Sequence, residues 1–383
     1  MWADSVMKFP GLSLFAVLFP VFASSADLSS SFPGAEVALE LSISEGNPRN
    51  SEGDFVQLKD GRLLFIYTRF SGGGGDHDRA DLVSRYSEDG GKSWSGEDKV
   101  VVANEGGLNV MSVSLLRLDD GRIALFYLQK NSLTDCRPVV RFSSDEAETW
   151  GEVTSIIPDK ETGYFVLNND RVVQLQSGRL LAPVALHHAP GREKPDWNGE
   201  VGCYFSDDAG LTWKSPGTMR KAFDVAGKRV AAQEPGVLEL MDGRVLLWIR
   251  TGAGELYHCH SSDKGLTWSD LKPMGVATPQ SPATIERIPG TKTLVMVWND
   301  HTILAPAERK LRTPLAIALS RDEGVSWGAA RNLETDPKGW YCYTAMEFTD
   351  KDLLLAYVAG TQSPGLHLSA SRVTRVPLVS LDK

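Results

Sequence analysis

Ser261-Ser262-Asp263-Lys264-Gly265-Leu266-Thr267-Trp268 is one of five copies of a single pattern, Ser-x-Asp-x-Gly-x-x-Trp. The others run from Ser87 to Trp94, Ser143 to Trp150, Ser206 to Trp213 and Ser320 to Trp327, with Ala147 where the second copy should have glycine. Successive copies start 56, 63, 55 and 59 residues apart. A period of this length marks one supersecondary unit used repeatedly. Each copy reads as a hairpin turn. Asp accepts hydrogen bonds from nearby backbone amides, Gly supplies a positive φ, and Trp fills the gap between neighbouring units. Nothing in the pattern is chemically reactive, so its role is structural.

A second repeat precedes the first. Asp60-Gly61-Arg62, Asp120-Gly121-Arg122, Ser177-Gly178-Arg179 and Asp242-Gly243-Arg244 each separate two apolar runs, and Gly290-Thr291-Lys292 and Asp350-Lys351-Asp352 hold the same place later in the chain. Each reads as strand, tight turn, strand. Six hairpins therefore accompany five Ser-x-Asp turns, and the unit around Asp350 needs a strand from elsewhere. The apolar stretch from Ala35 to Ile43 can supply it. The expected fold is all-β: a six-bladed β-propeller whose last blade is closed by the N-terminal strand.

Residues 1–26 combine Lys8, an apolar run and the small residues Ser24-Ser25-Ala26, the pattern of a cleaved signal peptide. The run is short and proline-containing for a membrane span. A secreted or periplasmic protein is expected, with residues 27–383 forming one domain and no integral membrane association. With 383 residues, 42% of them apolar, the chain has ample material for a core. Its net charge of −9 argues against nucleic acid as a partner. A monomer without cofactor or metal is expected. Cys136, Cys203, Cys259 and Cys342 are irregularly spaced and read mostly as buried thiols. In His258-Cys259-His260, strand geometry turns the two imidazoles to one side and the thiol to the other, so the three cannot converge on a metal. Asp76-His77-Asp78 lacks the ligand count of a calcium loop.

Three arginines do not fit a structural role. Arg49 opens the first hairpin, Arg250 ends the apolar run Val245-Leu246-Leu247-Trp248-Ile249, and Arg312 precedes the run starting at Leu315. Each comes from a different unit and a similar place in it. Converging at the centre, three guanidiniums would clamp a carboxylate, because the planar fork matches it bidentately and stays charged.

With these residues in place, the chain resembles the exo-α-sialidases of the bacterial retaining type, with their Asp-box repeats and arginine triad. The resemblance rests on order and spacing. Arg49 is followed by Arg69 and then by the loop Gly72-Gly73-Gly74-Gly75-Asp76-His77-Asp78. Glu234 is followed by the turn Asp242-Gly243-Arg244, an apolar strand and Arg250. Arg312 lies eight residues before Ser320, and Tyr343-Thr344-Ala345-Met346 precedes the last hairpin turn. The resemblance implies that Arg49, Arg250 and Arg312 bind the carboxylate of a sialic acid, with Arg69 contributing to substrate binding. It implies Tyr343 as nucleophile, with Tyr341 as the alternative, Glu234 as its base, and Asp76, or else Asp78, as the acid.

Chemistry explains the set. A carboxylate nucleophile would be repelled by the sugar's own carboxylate, whereas a neutral tyrosine hydroxyl is not. Tyrosine, with an ordinary pKa of about 10, then needs a base, and the departing oxygen needs a separate acid. The chain departs from the family in two places. Asn50-Ser51-Glu52-Gly53 follows the first arginine and sets an extra carboxylate near the clamp, able either to repel substrate or to fix Arg49. Asn168-Asn169-Asp170-Arg171 replaces a glycine-rich entry, which makes Asn169 and Asp170 candidates for sugar contact. The expected partners are sialylated or other acidic glycans. The leading expectation is release of terminal sialic acid with retention. The alternatives are a relative acting on another acidic sugar and a non-catalytic carbohydrate-binding propeller.

Overall fold

The computed structural model describes residues 32–382. Residues 1–26, expected to form a signal peptide, lie outside the described residues. The described chain is strand and turn almost throughout, as its Val/Ile/Leu-rich runs between Gly and Asp turns require. No helix among the described residues is long and apolar enough to cross a membrane.

The strands form successive antiparallel meanders. Arg49–Gln57, Leu63–Phe70, Ala80–Ser87 and Lys99–Val102 make the first four-stranded sheet. Gln233–Glu239 opens a second such sheet ending at Lys272–Ala277, and Thr284–Arg287 opens a third ending at Arg331–Glu334. Between the first and second of these runs an eight-stranded path. It contains two meanders, Asn109–Ser155 and Tyr164–Ser206, which touch through one parallel bridge, Tyr164 to Cys136. The last sheet contains Gly339–Phe348, Asp352–Thr361 and Ser371–Pro377, and its fourth strand is Glu36–Leu41. This N-terminal strand pairs Glu36 with Arg375 and Leu41 with Ser371. The ion pairs Arg372–Glu40 and Arg375–Glu36 add to the seam. Apolar clusters fill the spaces between sheets. One joins Leu41, Phe55 and Phe65 to Leu354 and Val373, so the first and last sheets share a core.

All five Ser-x-Asp turns repeat one hydrogen-bond set. In the fourth, Ser261 Oγ donates to Asp263 and accepts from the Gly265 amide at 2.8 Å, while Asp263 accepts from the Thr267 amide and hydroxyl. The residue before each Trp is Ser93, Thr149, Thr212, Thr267 or Ser326, and in every copy its hydroxyl donates to the Asp. The Gly position needs a positive φ: it is +85° at Gly265, and a Cβ there would meet Leu181 of the preceding sheet at 2.8 Å. Ala147 occupies the same conformation at φ 66°. The imidazoles of His258 and His260 lie side by side, ring centroids 5.3 Å apart, while Cys259 is buried in the core. All four cysteines are buried free thiols.

The first strands of four meanders run from one cavity to another. Their early residues (Glu52, Ser112, Glu234, Tyr343) line a pocket of about 200 Å³. Their later residues (Asp54, Leu115, Val237, Glu347), with Glu286 from the strand Thr284–Arg287, line a wider cavity of about 670 Å³.

Candidate active site

Periodicity alone would place alternate residues of these first strands on one face. The structure departs from it at the point that matters. The pairing slips between Ser51 and Asp54, Met111 and Ser114, Gln233 and Gly236, and Cys342 and Ala345. In each slip sits a non-glycine residue with positive φ: Glu52 at 46°, Ser112 at 61°, Glu234 at 49° and Tyr343 at 57°. These are β-bulges, which re-aim a side chain and concentrate near active sites. Four sheets thus each turn a bulge residue into the smaller pocket. Tyr341 and Tyr343 consequently do not share a face. Tyr341 packs in the core against Tyr357, ring centroids 6.2 Å apart, and Tyr343 is the tyrosine of the pocket.

The Tyr343 hydroxyl donates to Glu234 Oε1 at 3.2 Å. The same carboxylate receives Arg250 Nη1 on both oxygens, at 2.7 and 2.6 Å. Burial, with the Glu234 carboxylate beside it, pushes the Tyr343 phenol above its ordinary range against the pull of Arg312 and Arg250. Arg312 lies over the Tyr343 ring at 5.6 Å and the Trp340 ring at 5.3 Å, and donates to the Gln280 carbonyl.

Arg49 is 2% exposed, and its amino groups are committed. Nη1 donates to Asp76 Oδ1 at 2.6 Å, and Nη2 to Ser51 Oγ and Glu52 Oε2, each at 3.3 Å. The Phe70 ring packs behind it, 4.4 Å from the guanidinium carbon. Of the two roles open to Glu52, fixing Arg49 is the one its position serves. Burial raises the Glu52 carboxyl, opposed by Arg49. Asp76 lines the pocket. Its side chain stays largely exposed; the surrounding protein partly desolvates its charge, but Arg49, Lys130 and His77 outweigh this and hold Asp76 below the usual carboxylate range. Asp78 is used inside the loop, accepting from the Gly75 amide at 2.8 Å.

Three candidates lie elsewhere. Arg69 donates to Asp98, which also takes Tyr67 and Arg85, so its charge is spent away from the pocket. Asn169 is fully buried and donates to the carbonyls of Gly53 and Tyr343, so it props the tyrosine's backbone rather than facing a sugar. Asp170 also has positive φ, at 55°, but accepts from the Met346 amide and lines the wider cavity. There it faces Asp54, Glu286 and Glu347, with Arg171 alongside. Burial and mutual repulsion raise Asp54, Glu286 and Glu347, the last to about 7.

Lys130 was not anticipated. It ends the apolar strand Ile123–Lys130 and is buried, with Nζ donating to the Asp76 carbonyl at 2.6 Å. A charge closing an apolar run is the signal that singled out Arg250, and it applies equally here. The remaining wall is aromatic: Trp197 packs against Tyr164 and His187, ring centroids 5.5 and 5.3 Å apart.

A family model described as a BNR repeat-like domain matches residues 73–354. An anhydrosialidase from Macrobdella decora is 28% identical over 170 residues, 42% of this chain and 20% of that protein, so the match spans about a fifth of the relative's length. A Dyadobacter fermentans protein of unknown function has a similar structure, with TM-score 0.66 and 20% identity over 90% of this chain and 100% of that one. A leech intramolecular trans-sialidase complexed with 2,7-anhydro-Neu5Ac gives TM-score 0.68 at 16% identity, covering 91% of this chain and 70% of the other. At these identities the structural likeness is one of fold.

Proposed function

The chain belongs to the BNR repeat-like domain family, and on that premise we propose that it is a retaining exo-glycosidase releasing terminal sialic acid, or a related 2-keto acid sugar, from glycoconjugates. The eight-stranded path is read as two blades touching at one bridge, which makes a six-bladed propeller closed by its N-terminal strand. The first 26 residues are read as an export signal, and the protein as a secreted or periplasmic monomer.

The observation that carries the catalytic reading is the Tyr343 hydroxyl on Glu234, 3.2 Å away, in a pocket that Asp76 also lines. A binding protein has no need of a base on a pocket tyrosine. The Tyr343 oxygen attacks the anomeric carbon and Glu234 receives the phenolic proton. Asp76 protonates the departing glycosidic oxygen. Water then attacks the tyrosyl–sugar bond, with Asp76 taking its proton and Glu234 returning one to Tyr343. Arg250, Arg312 and Arg49 orient the sugar through its carboxylate, so that little reorganisation remains at the reacting centre.

Incubation with a fluorogenic sialoside tests the reading: turnover is expected, and a 2,3-difluoro sialic acid should label Tyr343 in peptide mass spectra. Turnover of a different acidic glycoside alone would change the sugar. Binding of sialic acid with neither turnover nor label would make the protein a carbohydrate-binding propeller.

A further inference from the structure

Arg49 cannot meet a sugar carboxylate as it stands. Its amino groups are taken by Asp76, Ser51 and Glu52, and Phe70 backs the guanidinium. It is absent from the lining of the pocket that Asp76 and Glu52 do line. Something must let go before a ligand can engage it.

The partners are unequal. Glu52 is buried on a strand, 5% exposed, and Ser112 donates to its other oxygen. Asp76 is 60% exposed on the glycine-rich loop. The backbone of that loop is pinned: Lys130 Nζ and Asn109 Nδ2 both donate to the Asp76 carbonyl, at 2.6 and 3.0 Å, and Asn109 also holds the Asp78 carbonyl. The Asp76 carboxylate can therefore leave Arg49 by side-chain rotation alone, without moving the loop.

We infer that the Arg49–Asp76 pair is a latch: an incoming sugar carboxylate takes Arg49, releases Asp76 into the pocket, and leaves it to pick up a proton from solvent. This rests on the proposed reading of the site as one for carboxylate-bearing sugars. The groups facing Asp76 fix the direction. In the empty site Arg49, Lys130 and His77 favour its charged form, and Glu52 nearby opposes it. Binding replaces the paired cation with a nearby anion, and an anion next to a carboxylate favours the protonated form. Asp76 is thus ionised while it guards Arg49 and protonated once it is needed as the acid. A sugar without a carboxylate would leave the latch shut and Asp76 ionised, without the proton it must donate, which extends selectivity from binding to the chemical step.

Proton uptake on binding is the readout. The probe is 2,3-dehydro-2-deoxy-N-acetylneuraminic acid, titrated calorimetrically into the wild-type protein in buffers of differing ionisation enthalpy. Uptake of up to one proton per ligand is expected in mildly acidic to neutral solution. The dissociation constant should rise with pH by up to about tenfold per unit across that window. Asp76→Asn should bind the probe severalfold more tightly at neutral pH, because the competitor for Arg49 has lost its charge, and should take up no proton. Glu52→Gln should retain the uptake. Tight binding without uptake in the wild type would overturn the latch while leaving the sialic-acid reading intact, as would uptake that survives Asp76→Asn and vanishes in Glu52→Gln. Failure of the probe to bind any of the three proteins would overturn the sialic-acid reading itself, and the latch with it.

Discussion

Tyr343 is half-buried with its hydroxyl on a carboxylate, so removing one oxygen separates chemistry from packing. Tyr343→Phe should keep the fold and the binding of a sialic acid analogue while turnover falls by about a thousandfold or more. Thermal melting and steady-state kinetics together check this. Arg250 is the second test. Nη1 spans both oxygens of Glu234, and Arg250→Lys keeps the charge but loses the planar fork. It should weaken substrate binding by about 2 kcal/mol, read as a higher KM with a smaller effect on kcat, and unchanged kinetics would remove Arg250 from the site. The residues of the pocket were legible where the sequence put charge against an apolar strand. Arg250 and Glu234 are such a case, and Lys130 would have been by the same rule. Arg69 satisfied the pattern too, yet its guanidinium is consumed by Asp98, which lies 29 residues away. No spacing rule announces a partner of that kind. Asn169 was polar at a strand entry, as a sugar ligand would be, but the carbonyls of Gly53 and Tyr343 needed a donor and took its amide.

Among elements, the turns were the clearest part of the sequence and the bulges the least. An Asp turn repeats because Asp, Gly and Trp each satisfy a fixed geometric need, so identity reveals structure. The hydroxyl before each Trp was equally visible and belongs to the same hydrogen-bond set. A bulge leaves no comparable signature. Glu52, Ser112, Glu234 and Tyr343 differ in chemistry and share only a backbone conformation, which is why alternation placed Tyr341 and Tyr343 on one face. The turns also yield a paired prediction. Gly265→Ala places a Cβ 2.8 Å from Leu181 in a left-handed conformation, and should cost about 2 kcal/mol. Ala147→Gly relieves the same backbone strain but loses a buried methyl worth about 0.8 kcal/mol, so it should change stability little. Urea midpoints of the two variants check the contrast, and equal shifts would contradict it.

For the whole molecule, the cluster of Asp54, Asp170, Glu286 and Glu347 makes stability depend on pH. Burial first, and Asp170 after it, raise Glu347 from its ordinary 4.5 to about 7 in the folded protein. A carboxyl raised on folding stabilises fully below its unfolded pKa and loses that contribution as pH rises through the folded value. The melting temperature should therefore fall between about pH 4.5 and 7, and Glu347→Gln should flatten that fall. A profile identical to wild type would show that Glu347 is not part of it. The closing strand gives the second test at this scale. Deleting residues 27–45 removes Glu36–Leu41 from the last sheet, exposing an edge and the core shared with Phe55 and Leu354. Loss of the cooperative melt is expected, and an unchanged melting temperature would contradict the role of this strand. That pairing also sets a schedule. Glu36 meets Arg375, so this strand leaves the ribosome long before its neighbour is translated, a delay on the order of tens of seconds at 5–20 residues per second. Throughout that interval the nascent chain is an open ribbon, and the order of synthesis keeps it unlocked until the last sheet has emerged.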